Sequence, residues 1–156
     1  MKDPPRAAVP PRLSAIPLAA WEREGVAAAL KKAGLPADDV GSPIPLFWRF
    51  EMEDLTPVGF GGLEIHGEDA LLRSVVTLPP MRRRGIARAI IAALEAEARI
   101  AGCRTIWLLT TVAVQMFDRL GYVPCARAAV PQPIRQTQQF AVLCPASATV
   151  MMKSLQ

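Results

Sequence analysis

The feature that most constrains this chain is a short basic turn between a predicted strand and the longest predicted helix. Residues 74–77, Ser-Val-Val-Thr, lead through the proline-containing stretch 78–81 into Arg-Arg-Arg-Gly-Ile-Ala at residues 82–87. Proline ends a strand, and glycine permits the positive φ that a tight helix start requires. A strand, a tight turn and a helix in this order indicate an α/β fold, with helices packed on a sheet.

The same turn predicts an anion-binding site. The first backbone N–H groups of a helix have no partner inside the helix, and the helix dipole makes that end positive. Three guanidinium groups add charge, while Gly85 and Ala87 leave the backbone accessible. A phosphate fits such a turn, and a pyrophosphate fits it better. Short glycine turns also occur where nothing binds, so an ordinary strand–helix connection stays open as the alternative.

The segments before this turn predict a helical region followed by three strands. Ser14 is predicted to cap the helical region, with Trp21 on its buried side, Gly25 dividing it and Gly34 ending it. Alternating apolar residues then predict antiparallel strands over residues 46–51, 58–66 and 70–78. The glycines inside the second strand, Gly59, Gly61 and Gly62, predict a bulge or a close approach of backbone or ligand.

Helices and strands are predicted to alternate after the turn. The longest helix covers residues 86–101 and ends at Gly102, with Glu95 and Arg99 spaced as an i,i+4 ion pair. The remaining predicted elements are a buried strand at 105–110, a helix capped by Thr110 or Thr111, a strand at 122–126, a short helix at 133–143 and a strand at 148–155. This order indicates an α/β (α+β) fold with a mixed sheet.

Length and composition fit one domain. The 156 residues are 51% hydrophobic and 21% charged, which suffices for a core without disulfides. The proline-rich residues 1–12 are predicted to be a flexible extension of a domain that covers residues 13–156. No apolar run reaches the ~20 residues of a membrane span and no secretion signal is recognisable, so we expect a cytoplasmic protein without membrane contact.

The charge and the cysteines exclude further classes of function. The net charge is +4, but no basic stripe follows a helix face, so we expect no nucleic-acid partner; steeply salt-dependent duplex affinity would mark that alternative. Cys103, Cys125 and Cys144 are odd in number and far apart, which predicts reduced thiols and no metal site. A three-thiolate arsenic site suits the softness of thiolate ligands, but the spacing offers no support for it.

Two segments of the chain resemble the GNAT superfamily of N-acetyltransferases. The family signature is Gln/Arg-x-x-Gly-x-Gly/Ala after a strand that ends with a proline, and Arg82-x-x-Gly85-x-Ala87 after Pro79 matches it. Residues 117–122, Phe-Asp-Arg-Leu-Gly-Tyr, are similar to the second recurring motif of the family. The resemblance implies a mixed, mostly antiparallel sheet of about six or seven strands, splayed between strands 4 and 5, with helices on both faces.

The resemblance also implies acetyl-CoA as the acyl donor and a small-molecule amine as the acceptor. The residues implied in coenzyme binding are Val75, Val76 and Thr77 for the pantetheine arm, and Arg82, Arg83, Arg84, Gly85, Ile86, Ala87 and Arg88 for the pyrophosphate. The backbone N–H of Val76 is the implied oxyanion donor. A closer resemblance is to the arsenic-resistance N-acetyltransferases, which are similar to amino-acid acetyltransferases; its marks are residues 71–74, 107–111 and 140–148. Members of the superfamily often dimerise, so a homodimer is also expected.

The residues that usually carry the chemistry in this family are replaced here. Phe117 stands where many members have a tyrosine that acts as the general acid. Leu109 stands where a carboxylate late in the fifth strand is common. Glu64 is the first candidate for a general base, followed by Glu51 and Glu53, although strand carboxylates usually form a solvated face. Candidate substrate contacts are Arg73 and Ser74, for a substrate carboxylate, and Cys144 with Ser147 as pocket residues or proton donors. The replaced residues keep a second function open, a non-catalytic acyl-CoA-binding module.

Overall fold

The computed structural model describes residues 11–40, 45–82, 85–143 and 146–155, which form a seven-stranded sheet with helices on both faces. The strands are β1 Ser14–Pro17, β2 Leu46–Glu51, β3 Pro57–His66, β4 Asp69–Thr77, β5 Thr105–Thr110, β6 Val123–Cys125 and β7 Thr149–Ser154. The helices are α1 Arg23–Lys32, α2 Ile86–Ile100, α3 Val114–Arg119 and α4 Gln132–Arg135, with a π-helical turn at Gln139–Leu143. The predicted α/β class with a mixed, mostly antiparallel sheet is confirmed.

Strands β4 and β5 form the parallel pair in a sheet whose other neighbours are antiparallel. The strand order is β1-β2-β3-β4-β5-β7-β6. β4 and β5 pair only from Asp69 opposite Thr105 to Leu71 opposite Trp107. Trp107 Nε1 of β5 donates to Asp69 Oδ1 of β4 at 2.9 Å, which links the two strands at this end. Beyond it the strands separate, which confirms the predicted splay.

A bulge lies in β4 at the point where the splay begins. Phe60 faces Val76 but Gly62 faces Arg73, so β4 carries one extra residue in this stretch. Ser74 takes up the extra length with a φ of 61°, a left-handed conformation that is costly for a residue with a Cβ. The strand direction therefore changes at Ser74.

Two glycines of β3 allow helix α2 to pack closely on the sheet. A Cβ on Gly59 would lie 2.2 Å from the Val76 carbonyl oxygen, and a Cβ on Gly61 would lie 2.7 Å from Leu94 Cδ1. A Cβ on Gly59 would also lie 2.8 Å from Ile90 Cδ1 of α2, and no side-chain movement relieves its clash with the Val76 backbone, so glycine is required at position 59. The close approach predicted for β3 is confirmed, and α2 makes it at both positions.

The opposite face of the sheet is covered by α1 and α4. Val26 and Leu30 of α1 pack with Phe47 of β2 and Val76 of β4. Ile134 of α4 packs in a separate cluster with residues of β4, β5 and β7. The sheet is thus enclosed on both faces, and β4 contributes side chains to each core.

The amino-terminal prediction is wrong at three residues. Ser14 begins strand β1 and does not cap a helix, because residues 14–17 pair with the edge of β2 and Pro17 disfavours a helix in the residue before it. Trp21 is 83% exposed because it lies in a single 3-10 turn ahead of α1. Gly25 does not divide α1. Gly34 ends the helix as predicted, with a φ of 73°.

The carboxyl-terminal elements follow the prediction except at their ends. α3 begins at Val114, later than expected, and Thr110 Oγ1 accepts from the Ala113 N–H at 3.0 Å. The helix predicted over 133–143 is two shorter pieces, because the Thr137 hydroxyl donates to the Ile134 carbonyl at 2.7 Å and interrupts the helical pattern. Glu95 pairs with Lys153 rather than with Arg99. None of the helices described is long and apolar enough to cross a membrane.

Candidate functional site

A cleft of about 910 Å³ opens where β4 and β5 separate. Residues 72–77 of β4 form one wall and residues 108–110 of β5 form the other. The start of α2, residues 85–88, closes one end, and Phe117 of α3 lies in the wall. The divergence of two adjacent strands therefore creates the cleft, and the sheet itself supplies its walls.

The predicted anion turn lies at this cleft. Gly85 adopts a φ of 72° and immediately precedes α2, as the sequence predicted. Arg82 and Arg88 line the cleft together with Gly85, Ile86 and Ala87. Arg83 and Arg84 lie outside the described residues. The first N–H groups of a 15-residue helix thus face a space large enough for a ligand, which fits a phosphate group.

The wall formed by β4 matches the second part of the predicted coenzyme site. Val75, Val76 and Thr77 all line the cleft. Their strand has no pairing with β5 beyond Leu71, so this edge of its backbone is available to an extended ligand. The pantetheine contacts and the oxyanion role of the Val76 N–H stay predictions that this geometry accommodates.

Arg73 lies one residue before the bulge and is the centre of a buried charged group. Its Nη1 and Nη2 donate to the two carboxylate oxygens of Asp39, which follows α1. Nη1 also donates to Glu64 Oε2 at 3.2 Å, and Nε donates to Ser74 Oγ at 3.0 Å. We call these three residues, Asp39, Glu64 and Arg73, the acid–arginine cluster.

The predicted bases do not reach the cleft. Glu64 is buried against Arg73, and its other oxygen lies 3.8 Å from His66 Nε2. It is not among the residues that line the cleft, nor are Glu51 and Glu53. Glu51 instead accepts from Arg49 at 2.8 Å. His66 is half-buried at the end of β3, beside Glu64.

Comparison with known proteins identifies the family. Residues 14–122 match the acetyltransferase (GNAT) family. The chain belongs to this family. As a GNAT acetyltransferase, it uses acetyl-CoA or another acyl-CoA, in agreement with the resemblance found in the sequence. No curated protein matches the chain, and no match supports the narrower arsenic-resistance branch.

Solved structures share the GNAT fold at low sequence identity. N-acetylglutamate synthase from Neisseria gonorrhoeae, in complex with coenzyme A and N-acetyl-glutamate, is 15% identical with a TM-score of 0.74 over 96% of this chain. This chain covers only 36% of that protein. Rv2747 from Mycobacterium tuberculosis, in complex with CoA, is 19% identical (TM-score 0.69; 94% and 100% coverage). A spermidine N-acetyltransferase chimera, partly from Vibrio cholerae, is 13% identical (TM-score 0.67; 92% and 96% coverage).

The GNAT cleft contains no common general acid or base among its described residues. Arginines are its sole ionisable side chains there, at positions 73, 82 and 88. Phe117 packs edge-on against the Tyr122 ring, with centroids 5.3 Å apart. The Tyr122 hydroxyl donates to Glu95 at 3.2 Å, away from the cleft. Burial, and then Glu95, raise the pKa of Tyr122, so that this phenol stays protonated.

The cysteines of this GNAT chain show no sign of reactivity in the described regions. Cys103 and Cys125 are free thiols, and burial raises the pKa of each, which disfavours the nucleophilic thiolate. Cys144 lies outside the described residues, and Ser147 is exposed. The described chain has no group of three or more side chains that could hold a metal ion.

Several residues that line the cleft were missed by sequence reasoning. They are residues 33–36 after α1, Thr110, Thr111, Met116 and Gln139. Gln139 is buried in the π-helical turn, which the sequence presented as part of a helix. No local signal marks these positions, because they meet only through the folding of distant segments.

Proposed function

We propose that this chain transfers an acetyl group from acetyl-CoA to the primary amine of a small molecule. The observation that carries the proposal is the cleft between β4 and β5, which opens onto the amino terminus of α2. One continuous space thus joins an anion-binding turn to an exposed strand edge. An extended, pyrophosphate-bearing thioester requires both features.

The donor half of the site is supported residue by residue. The N–H groups at the start of α2, with Arg82 and Arg88, would hold phosphate oxygens. The edge of β4 would pair with the amide groups of the pantetheine arm. A thioester at the bulge would then have backbone N–H groups close to its carbonyl oxygen, where negative charge develops during attack.

An amine acceptor is supported by the proteins that share the fold. Their names include an N-acetylglutamate synthase and a spermidine N-acetyltransferase, so both amino acids and polyamines are acceptors within this fold. The amino-acid-like and arsenic-related acceptors suggested by the sequence stay predictions. We propose that the amine reaches the cleft uncharged or loses its proton to water, because no described carboxylate or imidazole lines the cleft.

A second candidate, a non-catalytic acyl-CoA-binding module, is favoured by one observation. Phe117 lies in the cleft wall where an acid would serve the leaving thiolate. Such a module would bind acetyl-CoA without turnover. One assay that measures both binding and thiol release separates the two functions.

Acetyl-CoA should raise the melting temperature and support amine-dependent thiol release. Ligand at about a hundred times its Kd contributes about 2.7 kcal/mol, which corresponds to roughly 5–10 °C for a chain of this size. Arg88→Glu should reduce the shift to below about half because it reverses a charge at the phosphate end. Differential scanning fluorimetry and a thiol reagent measure the two effects.

Arg119→Glu is the matched control, since Arg119 is exposed on α3 outside the cleft. It should leave the shift unchanged. A thermal shift without thiol release over a broad amine panel would favour the binding module. No shift at saturating acetyl-CoA would refute the donor assignment.

A further inference from the structure

We infer that the acceptor is an amine without a carboxylate next to its nucleophilic nitrogen, an inference that rests on the proposed amine acetyltransferase activity and narrows its substrate class. The deciding residue is Arg73. It lines the cleft and is the arginine that the sequence offers for a substrate carboxylate. Its guanidinium is already paired with acids of the same chain.

The pairing leaves little room for another carboxylate. Both oxygens of Asp39 accept from the terminal nitrogens of Arg73, Glu64 Oε2 lies 3.2 Å from Nη1, and Nε donates to Ser74. The side chains of Arg73, Asp39 and Glu64 are 0%, 4% and 5% exposed. A substrate carboxylate would have to displace a buried acid from the guanidinium, at a large cost in desolvation.

The charge of the acid–arginine cluster also disfavours a substrate carboxylate. Two carboxylates face one guanidinium, so the formal charge of the cluster is negative, with histidine counted neutral. The cluster adjoins Ser74 and Val75, which line the cleft at the bulge. A net charge in a poorly solvated region acts over several ångströms, repelling a carboxylate and attracting a cation.

The other cations of the described cleft belong to its opposite end. Arg82 lies in the turn that follows β4 and Arg88 lies at the start of α2, whereas Arg73 lies four residues before the end of β4, on the other side of the bulge at Ser74. Arg23 and Arg73 both lie over the Phe47 ring, but Arg23 donates to the Val40 carbonyl at 2.8 Å and lines a separate hollow, not the cleft. In the part of the chain described, no further cation meets the acceptor end.

The test compares each amino acid with the amine that remains when its carboxylate is removed. Suitable pairs are arginine with agmatine and tyrosine with tyramine, each assayed for thiol release with saturating acetyl-CoA. We expect the amine of an active pair to exceed its amino acid in kcat/KM by about tenfold or more. Intrinsic reactivity would instead favour the amino acid, because its α-amino group is less basic than the amine and a larger fraction of it is uncharged at a given pH.

The amino-acid amide is the control for size in each series. It keeps the volume of the carboxylate without its charge, so its kcat/KM should lie closer to that of the amine. Equal or higher kcat/KM for the amino acids would overturn the inference while leaving the amine acetyltransferase intact. Absence of turnover with every compound would refute the proposed function, and the inference with it.

Asp39→Asn tests whether the cluster causes the preference. Removing one negative charge should compress the amine-to-amino-acid ratio by about threefold or more. The neighbouring variant Asp38→Asn removes an exposed charge and should leave the ratio unchanged. Glu64→Gln provides the same test if thermal melting shows that Asp39→Asn is poorly folded. Unchanged ratios in a folded Asp39→Asn or Glu64→Gln protein would contradict the assignment of selectivity to this cluster.

Discussion

Two buried charged groups of this protein are built differently. In the acid–arginine cluster two carboxylates share one arginine beside the cleft. On the α2 face of the sheet, Glu95 accepts from Lys153 at 2.7 Å and from the Tyr122 hydroxyl at 3.2 Å, one carboxylate with one ammonium group. Lys153 also lies over the Tyr122 ring at 5.5 Å. None of these three residues lines the cleft.

The difference shows that the position of a buried charged group determines whether it can influence a ligand or only stabilises the fold. The Glu95 group is balanced, and Lys153 is 25% exposed, so water reaches one partner. It joins α2 to β7 and has no ligand to influence. The acid–arginine cluster is unbalanced and fully enclosed, yet it borders the cleft. Its excess negative charge can therefore interact with a bound molecule. Because the cluster is buried, the loss of any one of its members should lower the stability of the fold.

Arg73→Met should have the largest effect on stability. It leaves Asp39 and Glu64 buried without their cation, and such a loss costs about 3–5 kcal/mol of unfolding free energy. Urea unfolding monitored by circular dichroism measures it. Adding Asp39→Asn and Glu64→Gln to this variant should recover part of the loss, because both buried charges are then removed.

The control for this prediction is Arg104→Met, which breaks an exposed pair between Arg104 and Glu68 at 3.7 Å. Its cost should stay below about 1 kcal/mol, since solvent screens such pairs. If Arg73→Met proves no more costly than Arg104→Met, the acid–arginine cluster does not hold two ionised acids.

Glu95→Leu should have an intermediate effect of about 2 kcal/mol, mainly because the buried Tyr122 hydroxyl loses its acceptor. Lys153 can turn towards water, so its charge does not stay buried. Glu97→Leu, at the next acidic position of α2, should change stability by less than about 0.5 kcal/mol. A cost equal to that of Arg73→Met would show that balanced and unbalanced groups are equally sensitive.

The smallest effect should appear only at alkaline pH, through Tyr122. The folded pKa of this phenol is raised above its ordinary value of 10.0, by burial first and by Glu95 next. Its contribution to stability is therefore complete below that value and is lost as pH rises above it, by up to about 1.4 kcal/mol per pH unit. Tyr122→Phe should remove this part of the alkaline slope in urea unfolding.

Tyr122 can be followed directly because the chain has one tyrosine. Its ultraviolet absorbance should titrate near the ordinary pKa in urea and only at higher pH in the folded protein. Titration of Tyr122 at the ordinary pKa in the folded state would mean that water reaches its hydroxyl. Both partners of Glu95, Tyr122 and Lys153, would then be accessible to water.

Local patterns predicted much of the fold. The turn before α2, the end of that helix near Gly102 and the strand Thr105–Thr110 were all found from the sequence, because each depends on neighbouring residues. Strand β1 was missed because its conformation depends on a partner, the edge of β2, more than thirty positions away. A four-residue segment carries too little pattern to reveal such a partner.

The candidate site was predicted unevenly for the same reason. The residues proposed to bind the acyl donor are continuous in sequence, from Val75 to Arg88, so one motif covers them. The rest of the cleft lining is assembled from segments after α1, in β5, in α3 and in the π-helical turn. Arg73 was predicted to contact a substrate carboxylate, but its pairing with Asp39, 34 positions earlier, was not visible in the sequence.

The sequence by itself determined the family, the turn before α2 and the order of most elements, because these depend on short-range conformational preference and on residue type. The tertiary structure alone decided that the Arg73 guanidinium is paired with Asp39 and Glu64, that Glu64 does not line the cleft, and that the bulge at Ser74 adjoins Arg73. Burial and pairing are properties of residues brought together from distant positions. Burial and pairing determine the charge next to a bound ligand, and neither can be read from the sequence.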